Sequence, residues 1–491
     1  MQKHHFFSLQ KSFITIVLHG GLFFLSGMLF LSCQEKREAH FDAAVFSLSE
    51  KTLILNKELD NSIEGHYLMV TGGEKETLYI ENLKGIDFQK YVRDTSWVLG
   101  WGSGIPYFDA GNENIRAIAS YDASKGRVTL GKLLRGVGYP AKGVQVTLLN
   151  RNPSGYLKME KKPLLDCFSG WKDFSGKSLM FGKIIKDTVE NQWVMYVNET
   201  DTPSVQVYAA VSKDLLHWEP AQNGMPIFTP KAFQNISWAT QNAGKKKWRG
   251  PVITDVLYEN NEWYLFLDGY KPNGERAIGM AKTKDPIKGP FEMIASPLLS
   301  AGAKGEWDEG GCFYPKVVKY KNQYLMFYDG YNEKGIEKLG LALSTDLYHW
   351  KKYGSQPVLD GHQGWRSSFS SSEVANVSVK KDSIFLFLSG AKAYKNNLLG
   401  RLTASRFKDV PGNVNDNQLG CYLSTDGGKH FISHANNPLF INDYADPYEN
   451  DHLGASLEFF KKDGFFYLFY VAKTDADALA YHPFVRIKKI E

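Results

Sequence analysis

An internal repeat constrains this chain more than any other feature of its sequence. From about Gly170 onward the same unit recurs five times. It opens on Trp beside a charged residue, continues as two β-patterned runs joined by a polar turn, and in three copies ends on Ser-x-Asp ahead of an aromatic. The openings are Gly170-Trp171-Lys172-Asp173, Lys247-Trp248-Arg249-Gly250, Glu306-Trp307-Asp308-Glu309 and Gly364-Trp365-Arg366, and the fifth copy begins near Asp451-His452. The Trp-to-Trp spacings are 77, 59 and 58 residues. Such a unit cannot bury its apolar face alone, so copies must stack or close on one another.

The β-branched and aromatic runs are broken by Asn260-Asn261, Lys321-Asn322, Lys381-Asp382 and Asp463-Gly464, which predicts hairpins. The third strand of a unit then enters Ser212-Lys213-Asp214, Ser344-Thr345-Asp346 or Ser424-Thr425-Asp426, where Ser and Asp can satisfy turn N–H groups. Four strands per unit and five units predict an all-β chain whose residues 162–491 form a five-bladed β-propeller. The last copy lacks its own Ser-x-Asp turn, so a strand between Pro163 and Phe168 is expected to complete it and close the ring. Residues 46–161 lack the repeat and alternate short strand-like runs with glycine-rich turns, which predicts a small antiparallel β-domain ahead of the propeller. Its stretch Trp97-Val98-Leu99-Gly100-Trp101 reads as core rather than as a sugar-stacking ledge.

The beginning of the chain is an export signal. Lys3 and Lys11 precede an apolar run that ends at Leu31-Ser32-Cys33, where charge begins. This junction resembles the bacterial lipoprotein signal, which implies a signal peptide over 1–32, a lipidated Cys33, a tether over 33–45 and attachment to the outer membrane. The other cysteines, Cys167, Cys312 and Cys421, make neither a zinc pattern nor a disulfide framework. Lys and Arg number 58 against 53 Asp and Glu, a balance too even to argue for nucleic acid. Aromatic residues make up 14% of the chain, which suits both a β core and stacking on sugar rings.

The inner strands of a propeller line a channel, and the residues that begin them face one mouth. Glu373, in Ser371-Ser372-Glu373-Val374-Ala375, is a lone carboxylate entering an apolar strand. Asp308 and Asp173 lie at the openings of copies three and one. Trp248, Arg249, Glu309, Trp365, Arg366, Asp451 and His452 also stand at blade openings and are candidates for substrate contact. The tryptophans suit blade packing as well, and Asp beside Gly also serves to cap turns.

The pattern resembles the five-bladed glycoside hydrolases of family 43 and its relatives, families 32, 117 and 130. Glu373-Val374-Ala375 through Phe387-Leu388-Ser389 is similar to the family-43 strand pair that begins with the general-acid Glu. Glu306-Trp307-Asp308 through Pro315-Lys316-Val317 is similar to a recurrent blade opening. Family 43 carries its base at an Asp-Pro in the first blade, which copy one lacks, and copy two has Trp248-Arg249-Gly250-Pro251 in place of Trp-Ala-Pro. The resemblance implies an inverting hydrolase of a plant or algal glycan, with Glu373 as acid and Asp173 or Asp308 as base. A non-catalytic glycan-binding propeller and a phosphorylase are the alternatives. No cofactor is required by these motifs, and a structural calcium ion in the channel is compatible with them.

Overall fold

Polar turns between short apolar runs make each repeat unit an antiparallel meander. The computed structural model describes chiefly residues 178–200, 206–239, 251–360, 373–390, 418–434, 452–473 and 481–490, with shorter pieces from residue 62 onward. Blade 1 consists of Ser178–Asp187, Gln192–Thr200, Val207–Ser212 and Glu219–Pro220. Blade 2 consists of Val252–Glu259, Glu262–Tyr270, Arg276–Thr283 and Glu292–Met293. Blade 3 consists of Gly311–Tyr320, Gln323–Tyr331, Glu337–Ser344 and Lys351–Lys352. Blade 4 consists of Val374–Lys380, Ser383–Gly390, Gln418–Ser424 and Ile432–Ser433. Blade 5 takes His452–Lys462, Phe465–Lys473 and Tyr481–Lys489 from the end of the chain. Asn260 and Asn261 both lie at positive φ (50° and 62°), as a two-residue I′ hairpin requires.

The fourth strand of blade 5 is Leu157–Lys158, paired with Ile487 and Arg486. The closing strand therefore lies upstream of the expected Pro163–Phe168, and the ring is completed from before residue 162. Pro163 has no N–H to give a ladder, and Leu164 supplies a single N–H to the Pro483 carbonyl at 2.9 Å.

An apolar core fills each space between neighbouring blades. The seam between blades 5 and 1 sets Phe469, Val471 and Val485 against Leu179, Phe181, Met195 and Tyr208, none more than 3% exposed. At roughly 1.5–3 kcal/mol per fully buried side chain, this seam outweighs the two-residue strand that flanks it. The Ser-x-Asp turns tie the blades further. Ser212 Oγ accepts the Leu215 N–H at 2.9 Å, Asp214 Oδ1 accepts from Leu216 and His217 at 2.8 Å, and the His217 ring holds Asp214 Oδ2 at 2.6 Å. Asp346 with His349 and Asp426 with His430 repeat the arrangement. The aromatic after each turn then packs on the second strand of the preceding blade: Trp218 on Phe469, Trp350 on Phe266, Phe431 on Phe327.

Ahead of the propeller lies a seven-stranded antiparallel sheet. Its spatial order is Ser62–Ile63, Val146–Asn150, Trp97–Trp101, Asn114–Asp122, Arg127–Arg135, Thr77–Ile80 and Leu68–Thr71. The signal segment and Cys33 lie outside the described residues.

Candidate active site at the channel mouth

Every inner strand is bulged in its first half, at Gly182, Thr254, Tyr314-Pro315, Ala375 and Gly454–Ser456. A bulge breaks the strict alternation of side chains and re-aims the residues beyond it. Just past the first four bulges stand Lys183, Asp255, Lys316 and Asn376, each opposite an aromatic: Tyr196, Phe266, Phe327 and Phe387. Lys183 Nζ lies 2.9 Å from Asp255 Oδ1 and 3.0 Å from Glu458 Oε1, so one ammonium joins blades 1, 2 and 5. Lys316 Nζ donates to the carbonyls of Gly182 (3.2 Å) and Thr254 (2.5 Å). Burial holds this lysine down at about 8, against the pull of Asp255. Gly182 is required here, because a Cβ would fall 1.8 Å from the Ile253 carbonyl. These side chains do not suit a structural calcium ion: both carboxylates are engaged by Lys183, and a second ammonium lies beside them. Among the described residues no three His, Cys, Asp or Glu side chains are grouped to hold a metal.

Towards the start of the inner strands a pocket opens, lined by Phe181, Asn198, Ile253, Tyr314, Lys316 and Val374 among others. Beside it lie two related pairs. Blades 2 and 3 carry the same Asp-Gly-Tyr at the end of the second strand, as Asp268-Gly269-Tyr270 and Asp329-Gly330-Tyr331. Arg276 and Glu337 begin the third strands at matching register, opposite Tyr270 and Tyr331. In blade 2, Arg276 Nη2 meets both oxygens of Asp268 at 2.9 and 3.0 Å, and its guanidinium lies 3.8 Å over the Phe313 ring. In blade 3, a glutamate stands where blade 2 has the arginine. Asp329 is fully buried, and burial with the charges of Glu337 and Glu373 holds its carboxyl well above the usual range. Glu373, at the head of blade 4, is pushed up to about 8 by burial and by Glu337, with Arg276 opposing. The site thus contains carboxyls that keep their protons near neutral pH, next to one fixed cation.

Glu373 is the expected residue that the structure brings to this mouth. Asp308 is placed elsewhere. Its carboxylate is buried against the outermost strand of blade 3, 2.6 Å from Lys352 Nζ and 3.1 Å from the Tyr328 hydroxyl. Trp307 causes this placement: it stacks on Tyr328 (5.8 Å between rings), and Gly330 leaves room for it by having no Cβ. Asp173 occupies an exposed turn at φ 59°, where its carbonyl accepts from Gln206, and it too is not beside Glu373. Glu309 caps a turn by accepting the N–H groups of Gly305 (2.6 Å) and Glu333 (3.3 Å). Trp248, Arg249, Trp365, Arg366 and Asp451 lie outside the described residues, and His452 begins the inner strand of blade 5. Asp268, Arg276, Asp329 and Glu337 were not among the residues expected from the sequence. The signal was the repeated Asp-Gly-Tyr, followed six residues later by Arg in one copy and Glu in the next.

No protein-family model matches the chain, and no curated protein does. Solved structures are similar to it over about two-thirds of its length. A thermostable family-43 glycoside hydrolase shares 16% identity, covering 65% of this chain and 92% of that one, with a TM-score of 0.45. An endo-arabinase from Bacteroides thetaiotaomicron shares 15%, covering 65% and 96%, with a TM-score of 0.44. A structure from the family-130 mannoside phosphorylases, which contain hydrolases targeting β-1,2-mannosidic linkages in Candida mannan, shares 14%, covering 68% and 94%, with a TM-score of 0.48.

Proposed function

We propose that the protein is a glycoside hydrolase in which Glu373 gives its proton to the leaving-group oxygen. One observation carries this reading: Glu373 heads an inner strand at the channel mouth, where burial and the charge of Glu337 push its carboxyl up to about 8. A general acid is most effective when its pKa lies near the working pH. As the glycosidic C–O bond breaks, the Glu373 proton passes to the departing oxygen. Water adds to the anomeric carbon, and its surplus proton goes to a second carboxylate. Burial and the charge of Glu337 keep Glu373 protonated, while Arg276 limits how far its proton affinity rises. Inversion, implied by the family-43 resemblance, needs the water-activating carboxylate about 6.5–9.5 Å from Glu373. Azide rescue of Glu337→Ala and Asp451→Ala is the way to find it.

The test is release of reducing sugar from a panel of plant and algal glycans, with and without phosphate. Sugar phosphate appearing only with phosphate replaces hydrolysis by phosphorolysis, and binding without release makes the propeller a glycan-binding module. Glu373→Gln is expected to slow a natural oligosaccharide by about 10²–10⁴-fold, and an aryl glycoside with a good leaving group far less. Near-normal turnover by Glu373→Gln refutes the assignment. Export and tethering to the outer membrane through Cys33 is the accompanying proposal, supported by the Leu31-Ser32-Cys33 junction.

A further inference from the structure

The inner strand of blade 3 is bulged at Tyr314-Pro315, and Tyr314 lies there at φ 48°. Every other non-glycine at positive φ among the described residues lies between strands, most of them in hairpin or Ser-x-Asp turns. A bulky side chain is disfavoured in this region, and a residue ahead of proline is pushed towards extended backbone. Tyr314 is strained on both counts. Blade 2 supplies what holds it. The Tyr314 N–H donates to Asp268 Oδ2 at 2.9 Å, and Asp268 is itself fixed by Arg276, whose guanidinium lies 4.8 Å from the centre of the Tyr314 ring.

Packing does not call for a tyrosine at this bulge. Arg276 already lies 3.8 Å over the Phe313 ring, and the bulges of blades 1 and 4 carry Gly182 and Ala375. A glycine would also take this φ without strain. What tyrosine adds is a phenol on the pocket wall. Tyr314 is partly exposed and lines the pocket with Asn198, Thr254, Lys316 and Val374, the residue after Glu373. Asn198 is bonded back to the Ile253 backbone at 2.8 and 2.9 Å, Thr254 to the Pro315 carbonyl at 3.1 Å, and Lys316 to two carbonyls. The Tyr314 hydroxyl has no hydrogen-bond partner among the described residues. Burial raises it well above the usual tyrosine range, Arg276 opposes, and the charge of Glu373 adds to the rise, so the hydroxyl keeps its hydrogen at any working pH. Such an O–H can both donate and accept, which matches a sugar hydroxyl.

We infer that Tyr314 is a substrate-binding residue: its hydroxyl hydrogen-bonds a hydroxyl of the sugar held against Glu373, and Asp268 with Arg276 hold it in place for that contact. Strain at a functional site persists when its surroundings over-determine it, as they do here. The inference deepens the reading of Glu373 as the proton donor and rests on it for where the sugar lies.

The experiment compares Tyr314 with Tyr314→Phe in the full-length protein, a change that keeps the ring and removes one oxygen. Calorimetry in the Glu373→Gln background follows binding of tetrasaccharides from arabinan, mannan, xylan and agarose. Initial rates with Glu373 intact follow hydrolysis of any that is cleaved. Tyr314→Phe is expected to weaken binding about 3–10-fold, the effect of one neutral hydrogen bond. The same factor should appear in KM with kcat nearly unchanged, as for a contact made equally in ground and transition states. The melting temperature should match that of the parent, because the hydroxyl has no partner in the fold. Unchanged binding and KM overturn the inference and leave Glu373 as the acid. A protein that binds none of the four tetrasaccharides overturns it too. Weaker binding in Tyr314→Phe by a protein that releases no sugar supports the inference and defeats the hydrolase reading instead.

Discussion

Lys183→Met removes the ammonium that joins blades 1, 2 and 5 at the channel axis while keeping most of the side-chain volume. At an effective dielectric of about 20, contacts of 2.9 and 3.0 Å are each worth roughly 5–6 kcal/mol. Taking the ammonium out of water consumes several kcal/mol of that. Stranding buried carboxylates by removing their partner costs about 3–5 kcal/mol, and the Asp255 and Glu458 side chains are only 3% and 7% exposed. With an unfolding entropy of roughly 2.1 cal/mol/K per residue over roughly 330 residues, Tm should fall by about 4–7 °C. The loss should also depend on pH. Burial already raises the Glu458 carboxyl, and Lys183 is the first group that opposes the rise. Without Lys183 the folded pKa climbs further above the unfolded one. Such a group favours the folded state while its proton is bound, and that advantage disappears as pH rises through the folded pKa. The deficit should therefore be smaller at pH 5 than at pH 8, and Glu458→Gln in the Lys183→Met background should recover part of it. Scanning calorimetry of the full chain at both pH values is the assay. A Tm within about 1 °C of wild type at pH 8, or a deficit indifferent to pH, refutes the reasoning.

Asp308→Asn should lower stability by about 1–3 kcal/mol, read as a lower urea midpoint, and leave turnover per folded molecule within a few-fold. A hundredfold loss of turnover with unchanged stability would return Asp308 to the chemistry. A chain begun at residue 160, lacking Leu157–Lys158, should still fold on the apolar seam between blades 5 and 1 but melt a few degrees below one begun at residue 151. Equal melting temperatures would show that the closing strand contributes nothing. Cys33→Ala should move the protein out of the membrane fraction, and mass spectrometry of the wild type should find a lipid on that cysteine. A Cys33→Ala protein still bound to membrane counts against the anchor.

The repeating meander was legible in the chain alone, because everything that makes a hairpin lies within a few residues. Asn260-Asn261 sets its own turn, and Ser212 with Asp214 satisfies N–H groups two and three positions on. Glu373 was legible for a similar reason, as a lone carboxylate at the head of an apolar strand. Its company was not. Asp329 and Glu337 are separated by a turn, and Arg276 belongs to another blade. Cross-strand register, the same in both blades, is what brings residue 276 to Asp268 and residue 337 to Asp329. Asp268 is neutralised by Arg276, while Asp329 faces Glu337 and must hold a proton. Asp308 stood at a blade opening like a catalytic group, yet the stacking of Trp307 on Tyr328 turned it toward Lys352. Nothing local marked Lys183 and Lys316, since strict strand alternation fixes a side chain's direction from its neighbours alone. The bulges at Gly182 and Tyr314-Pro315 break that alternation, and they turn both ammonium groups onto the axis. Local chemistry decides a turn; which side chains meet at the axis is settled only when five blades close on one another.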